Sequence, residues 1–495
     1  MGATRDAIRF RRAGRVVEAR GFHPRATLLD YLRLEERSLG TKEGCAEGDC
    51  GACTVALGRL RGGRLVYEPV NACILLLGQA DGAEIVAVED LAGADGLHPV
   101  QAAMVAHHGS QCGFCTPGIV MSLFALYQEG ARPLGRDAVN DALAGNLCRC
   151  TGYRPIVDAA LAACADPPAD RFAAARAGTE AALAGLADGA DLFVGDDRRF
   201  FAAPAGEETL ARLYAEYPDA TLVAGATDVG LWITKGLAPI ERIIWLGRVA
   251  GLDAVEDGPD ALVLGATATH ADAYARLAAI DPDLGEIMRR FGSVQVRAAG
   301  TVGGSIANGS PIGDLAPALI ALGATLDLRR GGTTRTLPLE GFFLAYRRQD
   351  RQPGEYVRRI AVPKLGAGEA FRAFKVTKRF DEDISAVLGA FRFTLDGRRI
   401  AAARVAFGGM AGTPKRAPAA EQALAGLSLD EPASWEPAYA ALAGDYRPMD
   451  DHRASAHYRA TVARNLLFKA LVEVAQGGTG ATRIVGHRAA AAAAE

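Results

Sequence analysis

Cysteine placement constrains this 495-residue chain more than any other feature. Eight of its nine cysteines lie between Cys45 and Cys150, the ninth is Cys164, and none follows. The first third of the chain must therefore fold around thiol chemistry that the rest does not need. The opening MGATRDAIRFRRAG has no apolar core of a secretory signal, and no run of about 18 apolar residues occurs. The expectation is a cytoplasmic chain with no membrane span. In a reducing compartment, cysteines serve metal or redox chemistry more than disulfides. A net charge of −3 and a pI near 6.3 give no electrostatic case for nucleic acid or an anionic membrane.

The cysteines form two sets. In GTKEGCAEGDCGAC, Cys45, Cys50 and Cys53 have the spacing C-x4-C-x2-C, and Cys73 follows. That is the plant-type [2Fe–2S] ferredoxin spacing. Two ferric ions, two sulfides and four thiolates sum to a negative cluster, and reduction adds charge. Gly44, Gly48 and Gly51 free the backbone to aim N–H groups at the sulfurs. Zinc prefers two C-x2–4-C pairs, so three ligands from one glycine loop match it poorly. The second set is Cys112 and Cys115 in QCGFC with Cys148 and Cys150 in NLCRC. Spacing alone leaves zinc open here. A second redox centre beside the first would make an electron wire, and Arg149 puts a cation between two ligands. Cys164 has no partner left and reads as a buried helix cysteine.

Residues 1 to about 85 read as β-rich, with hairpins turning at Ala13-Gly14 and Gly62-Gly63 and a short helix at TLLDYLRLEER. From His98 to Cys164 four segments have helical periodicity, with Pro117 and Pro155 near helix starts. The Ala-, Pro- and Asp-rich stretch 165–191 reads as a linker. From about 192 to 365 strands and helices alternate. Strands and then helices follow to about 475, and the tail AAAAAAE is low-complexity. The histidines form no catalytic constellation and read as helix-surface residues.

HPVQ (98–101), GSQCGFCTPGIVMS (109–122) and GNLCRCTGYRPI (145–156) resemble the helical [2Fe–2S] domain of the xanthine dehydrogenase family of molybdenum hydroxylases. The first cysteine loop resembles that family's ferredoxin domain. LVAGATDVG (222–230), TVGGSIANGSPIGDLAPAL (301–319) and AFKVTKRFDEDIS (373–385) resemble its FAD domain and the segment beyond. The resemblance implies a multidomain α+β fold. Its parts would be a β-grasp ferredoxin domain (1–88), a four-helix [2Fe–2S] domain (89–165), a linker (166–191), an α/β PCMH-type FAD domain (192–366), an α+β C-terminal flavoprotein domain (367–480) and a tail (481–495).

Taken alone, the FAD segments are glycine-rich turns that lack the G-x-G-x-x-G fingerprint, and tight turns in an α/β domain would look the same. The resemblance implies that the pyrophosphate is held by Leu222, Val223, Ala224, Gly225, Ala226, Thr227, Asp228 and Val229, and by Thr301, Val302, Gly303, Gly304 and Ser305. Phe291 would pack on the flavin, Asp314 and Lys375 would bond its polar groups, and Val357 would add a contact. Cys45, Cys50, Cys53 and Cys73 would hold one cluster, and Cys112, Cys115, Cys148 and Cys150 the other. Gln111 and Cys150 would approach a molybdopterin. The family's molybdopterin domain is a further C-terminal region, so the chain resembles the iron–sulfur and FAD-carrying small subunit of a split enzyme. Its partner would be a large molybdenum subunit, most simply in an (αβ)2 heterotetramer. Electrons from purine hydroxylation would pass through both clusters to FAD and then to NAD, whose access the segment Lys375–Ala386 would govern. No catalytic residue is expected in this chain. The rivals are the same architecture serving an aldehyde or another N-heterocycle, a stand-alone ferredoxin-like carrier, and an iron–sulfur sensor.

Overall fold

A computed structural model describes residues 4–94, 96–130, 134–483 and 486–487. It comprises two compact units, Met1–Ala250 with Ser293–Gly300, and Gly251–Gly292 with Thr301–Glu495. The segment AAAAAAE lies outside the described residues.

The first unit opens with a five-stranded sheet. Its strand order is Arg15–Arg20, Ala7–Arg12, Glu84–Val86, Thr54–Arg61, Arg64–Asn71. Both hairpins turn where the sequence indicates, and Ala13, Gly14, Gly62 and Gly63 all have positive φ, as two-residue hairpin loops of this kind require. Ile8, Phe10, Val55 and Leu57 alternate inward into the core with Ile85. The TLLDYLRLEER segment starts as an α-helix at Leu28–Asp30, capped by Thr27, and widens into π turns over Tyr31–Glu35.

Four helices follow: Pro99–Ala106, Thr116–Glu129, Arg136–Leu143 and Arg154–Ala163. Thr116–Glu129 is buried almost all round because it lies between the Thr54–Asn71 hairpin and its neighbour helices. Pro117 and Pro155 each sit in a first turn, where a missing N–H costs nothing. Cys164 is buried at the end of the last helix.

The stretch read as a linker is instead ordered by the helix Arg171–Leu186. Asp170 caps it, accepting from the Ala173 N–H at 2.8 Å, and alanine favours helix once a start exists. Thr179, Leu183 and Leu186 are buried. Arg176 Nη1 donates to the Leu65 carbonyl at 2.6 Å, and Glu180 Oε1 accepts from the Leu65 N–H at 2.9 Å. The segment is a strap across the hairpin. His98 also departs from the surface reading. It is buried, caps its helix through Nδ1, and lies 2.5 Å from Asp170 Oδ2 through Nε2. His270 is buried as well.

A second sheet in this unit has the order Thr4–Arg5, Asp191–Gly195, Phe200–Ala203, Arg242–Trp245, Thr221–Val223. Arg242–Trp245 runs parallel to both its neighbours.

The second unit holds an antiparallel five-stranded sheet in the order Val255–Asp257, Ala261–Gly265, Tyr356–Pro363, Thr325–Arg330, Thr333–Pro338. The helix Leu315–Leu322 is apolar and buried on every side. A four-stranded antiparallel sheet spans Glu369–Val376, Val387–Asp396, Arg399–Gly408 and Lys415–Arg416, and packs with the helix Ala456–Ala475. Part of the expected tail is pinned here: Arg483 pairs with Asp283 and Glu473, and His487 with Asp283. Among the described residues, no helix is long and apolar enough to cross a membrane.

Candidate functional site

The first four cysteines come together. Cys45 contacts Cys50 and Cys73, and Cys53 Sγ lies 3.2 Å from Cys73 Sγ. Cys45 and Cys50 are half-buried, Cys53 and Cys73 buried. The Cys50 side chain holds the Cys45 thiol far below its ordinary range, helped by the backbone N–H groups of Cys50 (3.3 Å) and Glu47. The same contact pushes Cys50 up, and Cys45, Cys53 and burial push Cys73 up. Once one sulfur of such a group ionises, the next resists. Four thiolates can coexist here only with cations among them, so the donor set fits an iron core. A Cβ on Gly44 would lie 2.7 Å from Cys50 Sγ, and Asn71 Nδ2 pins the loop through the Gly48 carbonyl at 2.9 Å.

The second four also converge. Cys112 contacts Cys150, and Cys115 contacts Cys148. Cys115 is the N-cap of Thr116–Glu129. Helix N-termini favour negative charge. The Phe114 N–H and then Cys150 hold the Cys112 thiol down, while Cys112 pushes Cys150 up. Burial and then Cys148 push Cys115 up to about 12. Burial opposes ionisation of Cys148, but the Thr151 hydroxyl at 3.2 Å and nearby backbone N–H groups outweigh it. Tyr153, at φ +69°, accepts from the Cys148 N–H at 2.8 Å. Four thiols brought together in this way suit a binuclear core, in which each iron takes two thiolates.

Hydrogen bonds join the two cysteine loops. The Leu147 N–H, one residue before Cys148, donates to the Cys50 carbonyl at 2.9 Å. Asn146 Nδ2 donates to the Gly51 carbonyl at 3.2 Å and Ser122 Oγ to Asn146 Oδ1 at 2.6 Å. Gly51 has φ +68°, and a Cβ there would sit 1.9 Å from the Gly145 carbonyl.

The expected FAD residues divide between the units. In the first unit, the strand Thr221–Val223 runs through a loop into the helix Val229–Thr234. Ala226 has φ +60°, and Asp228 Oδ2 accepts from Trp232 Nε1 at 3.0 Å. Gly225 and Thr227 line a shallow crevice with Asn71, Ile74 and Gln295, so this loop lies beside the residues around Cys73. The helix also reaches the first cysteine loop, where Thr234 Oγ1 donates to the Ala46 carbonyl at 2.7 Å.

In the second unit, Thr301 caps the helix Val302–Asn308, accepting from the Gly304 N–H at 3.0 Å, so Val302, Gly303, Gly304 and Ser305 form its first turns. Asp314, expected to bond a cofactor, is buried and pairs with Lys375, expected to do the same, whose side chain is 3% exposed. Ser385 Oγ donates to Asp314 Oδ1 at 2.5 Å. Phe291 packs at 4.2 Å between ring centroids on His270, and Val357 is buried opposite Leu328. Gln111 and Cys150 are exposed in the first unit, beside exposed Phe114 and Leu147. Sequence reasoning gave no role to Ser122, Asn146, Thr151, Tyr153 and Ser385, although each lies within a quoted motif, and it missed Gln295, which lies in none.

Two thiol quartets, one on a β-sheet domain and one on a helical domain, are the ligand set of an iron–sulfur electron carrier. Three family models match: "[2Fe-2S] binding domain" over 87–161, "FAD binding domain in molybdopterin dehydrogenase" over 198–365, and "CO dehydrogenase flavoprotein C-terminal domain" over 372–474. The xanthine dehydrogenase of Drosophila pseudoobscura pseudoobscura is 33% identical over 465 residues, covering 82% of this chain and 34% of that one. The xanthine dehydrogenase/oxidase of Mus musculus is 34% identical over 460 residues, with the same two shares. This chain thus spans about a third of the length of these relatives. Among solved structures, a chain of carbon monoxide dehydrogenase from Hydrogenophaga pseudoflava aligns at TM-score 0.52 and 27% identity, over 56% of this chain and 97% of that one. A chain of CO dehydrogenase from Oligotropha carboxidovorans shares the fold at TM-score 0.53 and 24% identity, over 57% and 99%. The chain belongs to the molybdenum hydroxylase family, with xanthine dehydrogenases as its homologues.

Proposed function

We propose that this chain is the iron–sulfur and FAD subunit of a xanthine dehydrogenase. It would take electrons from a molybdenum centre on a large partner subunit during oxidation of hypoxanthine or xanthine to urate, and deliver them to NAD. The observation that carries the electron-transfer part is the pair of thiol quartets bridged by the Leu147–Cys50 hydrogen bond. The purine part is supported by relatives named xanthine dehydrogenase at 33% and 34% identity.

When bound, the clusters carry single electrons and the flavin exchanges electron pairs with a nicotinamide. Cys45, Cys50, Cys53 and Cys73 would hold one cluster, and Cys112, Cys115, Cys148 and Cys150 the other. Backbone N–H groups at Cys50 and Phe114 offset thiolate charge. Leu222–Val229, Phe291, Thr301–Ser305, Asp314, Val357 and Lys375 would hold FAD. Exposed Gln111 and Cys150 would face the partner's pterin. The same architecture serving an aldehyde or another N-heterocycle is the second reading, since a similar fold occurs in a chain of an enzyme named for a substrate other than a purine, carbon monoxide dehydrogenase.

The test is anaerobic titration of the purified complex with xanthine, hypoxanthine or an aldehyde. Bleaching of the iron–sulfur and flavin absorbance by the purines, with NADH formed when NAD is added, is expected. Bleaching by the aldehyde alone would transfer the assignment to the second reading.

A further inference from the structure

We infer that Gln295 is a positioning residue for electron transfer between the two cysteine quartets, its carboxamide holding both cluster loops in one register. The inference rests on the iron–sulfur reading above and goes beyond it. Gln295 lies on the short helix Val294–Ala299, far from every cysteine in sequence, and is 1% exposed. Its Nε2 lies 3.1 Å from Thr54 Oγ1, 3.1 Å from Asn146 Oδ1, 3.3 Å from Ser122 Oγ and 3.5 Å from the Gly145 carbonyl. Thr54 follows Cys53, and Asn146 lies two residues before Cys148. One amide therefore bonds next to a ligand of each quartet.

The surrounding hydroxyls favour this orientation of the amide, whose Oε1 is buried without a hydrogen-bond partner. Thr54 gives its hydroxyl proton to the Gly51 carbonyl and Ser122 gives its own to Asn146, so both oxygens are left to accept. The helix is fixed to the second loop by the Val294 N–H, which donates to the Ala144 carbonyl at 2.9 Å. Three glycines allow the approach. A Cβ on Gly118 would lie 2.1 Å from the Gly51 carbonyl, one on Gly51 would lie 1.9 Å from the Gly145 carbonyl, and one on Gly145 would lie 1.9 Å from Gln295 Oε1. The stack sets how Cys50 meets Leu147, the hydrogen-bonded main-chain link between the quartets. The two N–H groups of Nε2 suffice for the two shortest contacts, Thr54 Oγ1 and Asn146 Oδ1, and without the carboxamide both lose their shared donor and the loops can relax apart.

The test uses the full complex carrying Gln295→Met, of similar length but unable to hydrogen-bond, and Thr54→Val. After dithionite reduction, EPR reads the magnetic splitting between the two clusters, and flash photoreduction reads how fast an electron equilibrates between them. With iron content and g values retained, Gln295→Met should change the splitting and slow equilibration by about tenfold or more, as ångström-scale misplacement does at other sites. Unchanged splitting and rate at full iron content would overturn the inference. If Gln295→Met does not load iron, Thr54→Val decides by the same two readouts. Wild-type protein lacking one of the two clusters would instead overturn the iron–sulfur reading itself, so the two failures are distinguishable.

Discussion

At the residue scale, Gly51 shows how one position serves both cysteine loops. Its φ of +68° disfavours any L side chain, and its missing Cβ admits the Gly145 carbonyl. Gly51→Ala would add about 1–2 kcal/mol of backbone strain to a backbone clash. Iron should therefore be lost from both quartets, although Gly51 belongs to the first. Iron analysis with EPR checks this, and loss confined to the first quartet would count against the welded loops. A second residue is informative through pH. Burial and the Asp283 carboxylate push the Asp281 carboxyl up to about 6, with Arg372 and His487 opposing. The folded state thus favours the protonated form. The stability Asp281 contributes is fully present below about 4 and is lost as pH rises through about 6. Asp281 caps a helix through the Asp283 N–H at 2.8 Å, a role asparagine also fills. Asp281→Asn should be more stable than wild type by about 1–3 kcal/mol at pH 8, after allowance for partial solvent contact, and no more stable near pH 4. Denaturant melts at the two pH values would show it, and a gain independent of pH would refute the cause.

At the element scale, the helix Arg171–Leu186 ties the Thr54–Asn71 hairpin to the helical domain. Leu183 is 2% exposed in the core those elements share. Leu183→Ala should cost about 2–4 kcal/mol, measurable as a lower denaturation midpoint, whereas a true linker would tolerate the change. The misreading has a physical reason. Pro167, Pro168 and repeated alanines look like a linker, yet Asp170 supplies a start signal and alanine then propagates. The hairpins were legible because their turn chemistry is local, and the quartets because ligand spacing is short-range. The knot around Gln295 was not. Its partner Thr54 lies 241 residues away, and a glutamine in VQV carries no local sign of burial. Asp314 and Lys375 were singled out through the resemblance, but their bond to each other is visible only in the fold.

At the scale of the whole molecule, the central claim is that this chain carries two [2Fe–2S] clusters and a flavin in one electron-transfer chain. Changing Cys148→Ser in the complex should damage one cluster and slow purine-to-NAD turnover, while NADH oxidation by a dye acting at the flavin largely survives. Equal loss of both activities with FAD retained would contradict the proposed order. The most direct measurement is metal and flavin analysis of the purified complex, followed by EPR after reduction. The expected result is about four irons and one FAD for each copy of this chain, with two distinguishable [2Fe–2S] signals. About two irons with stoichiometric zinc, and a single signal, would contradict the account of the second quartet.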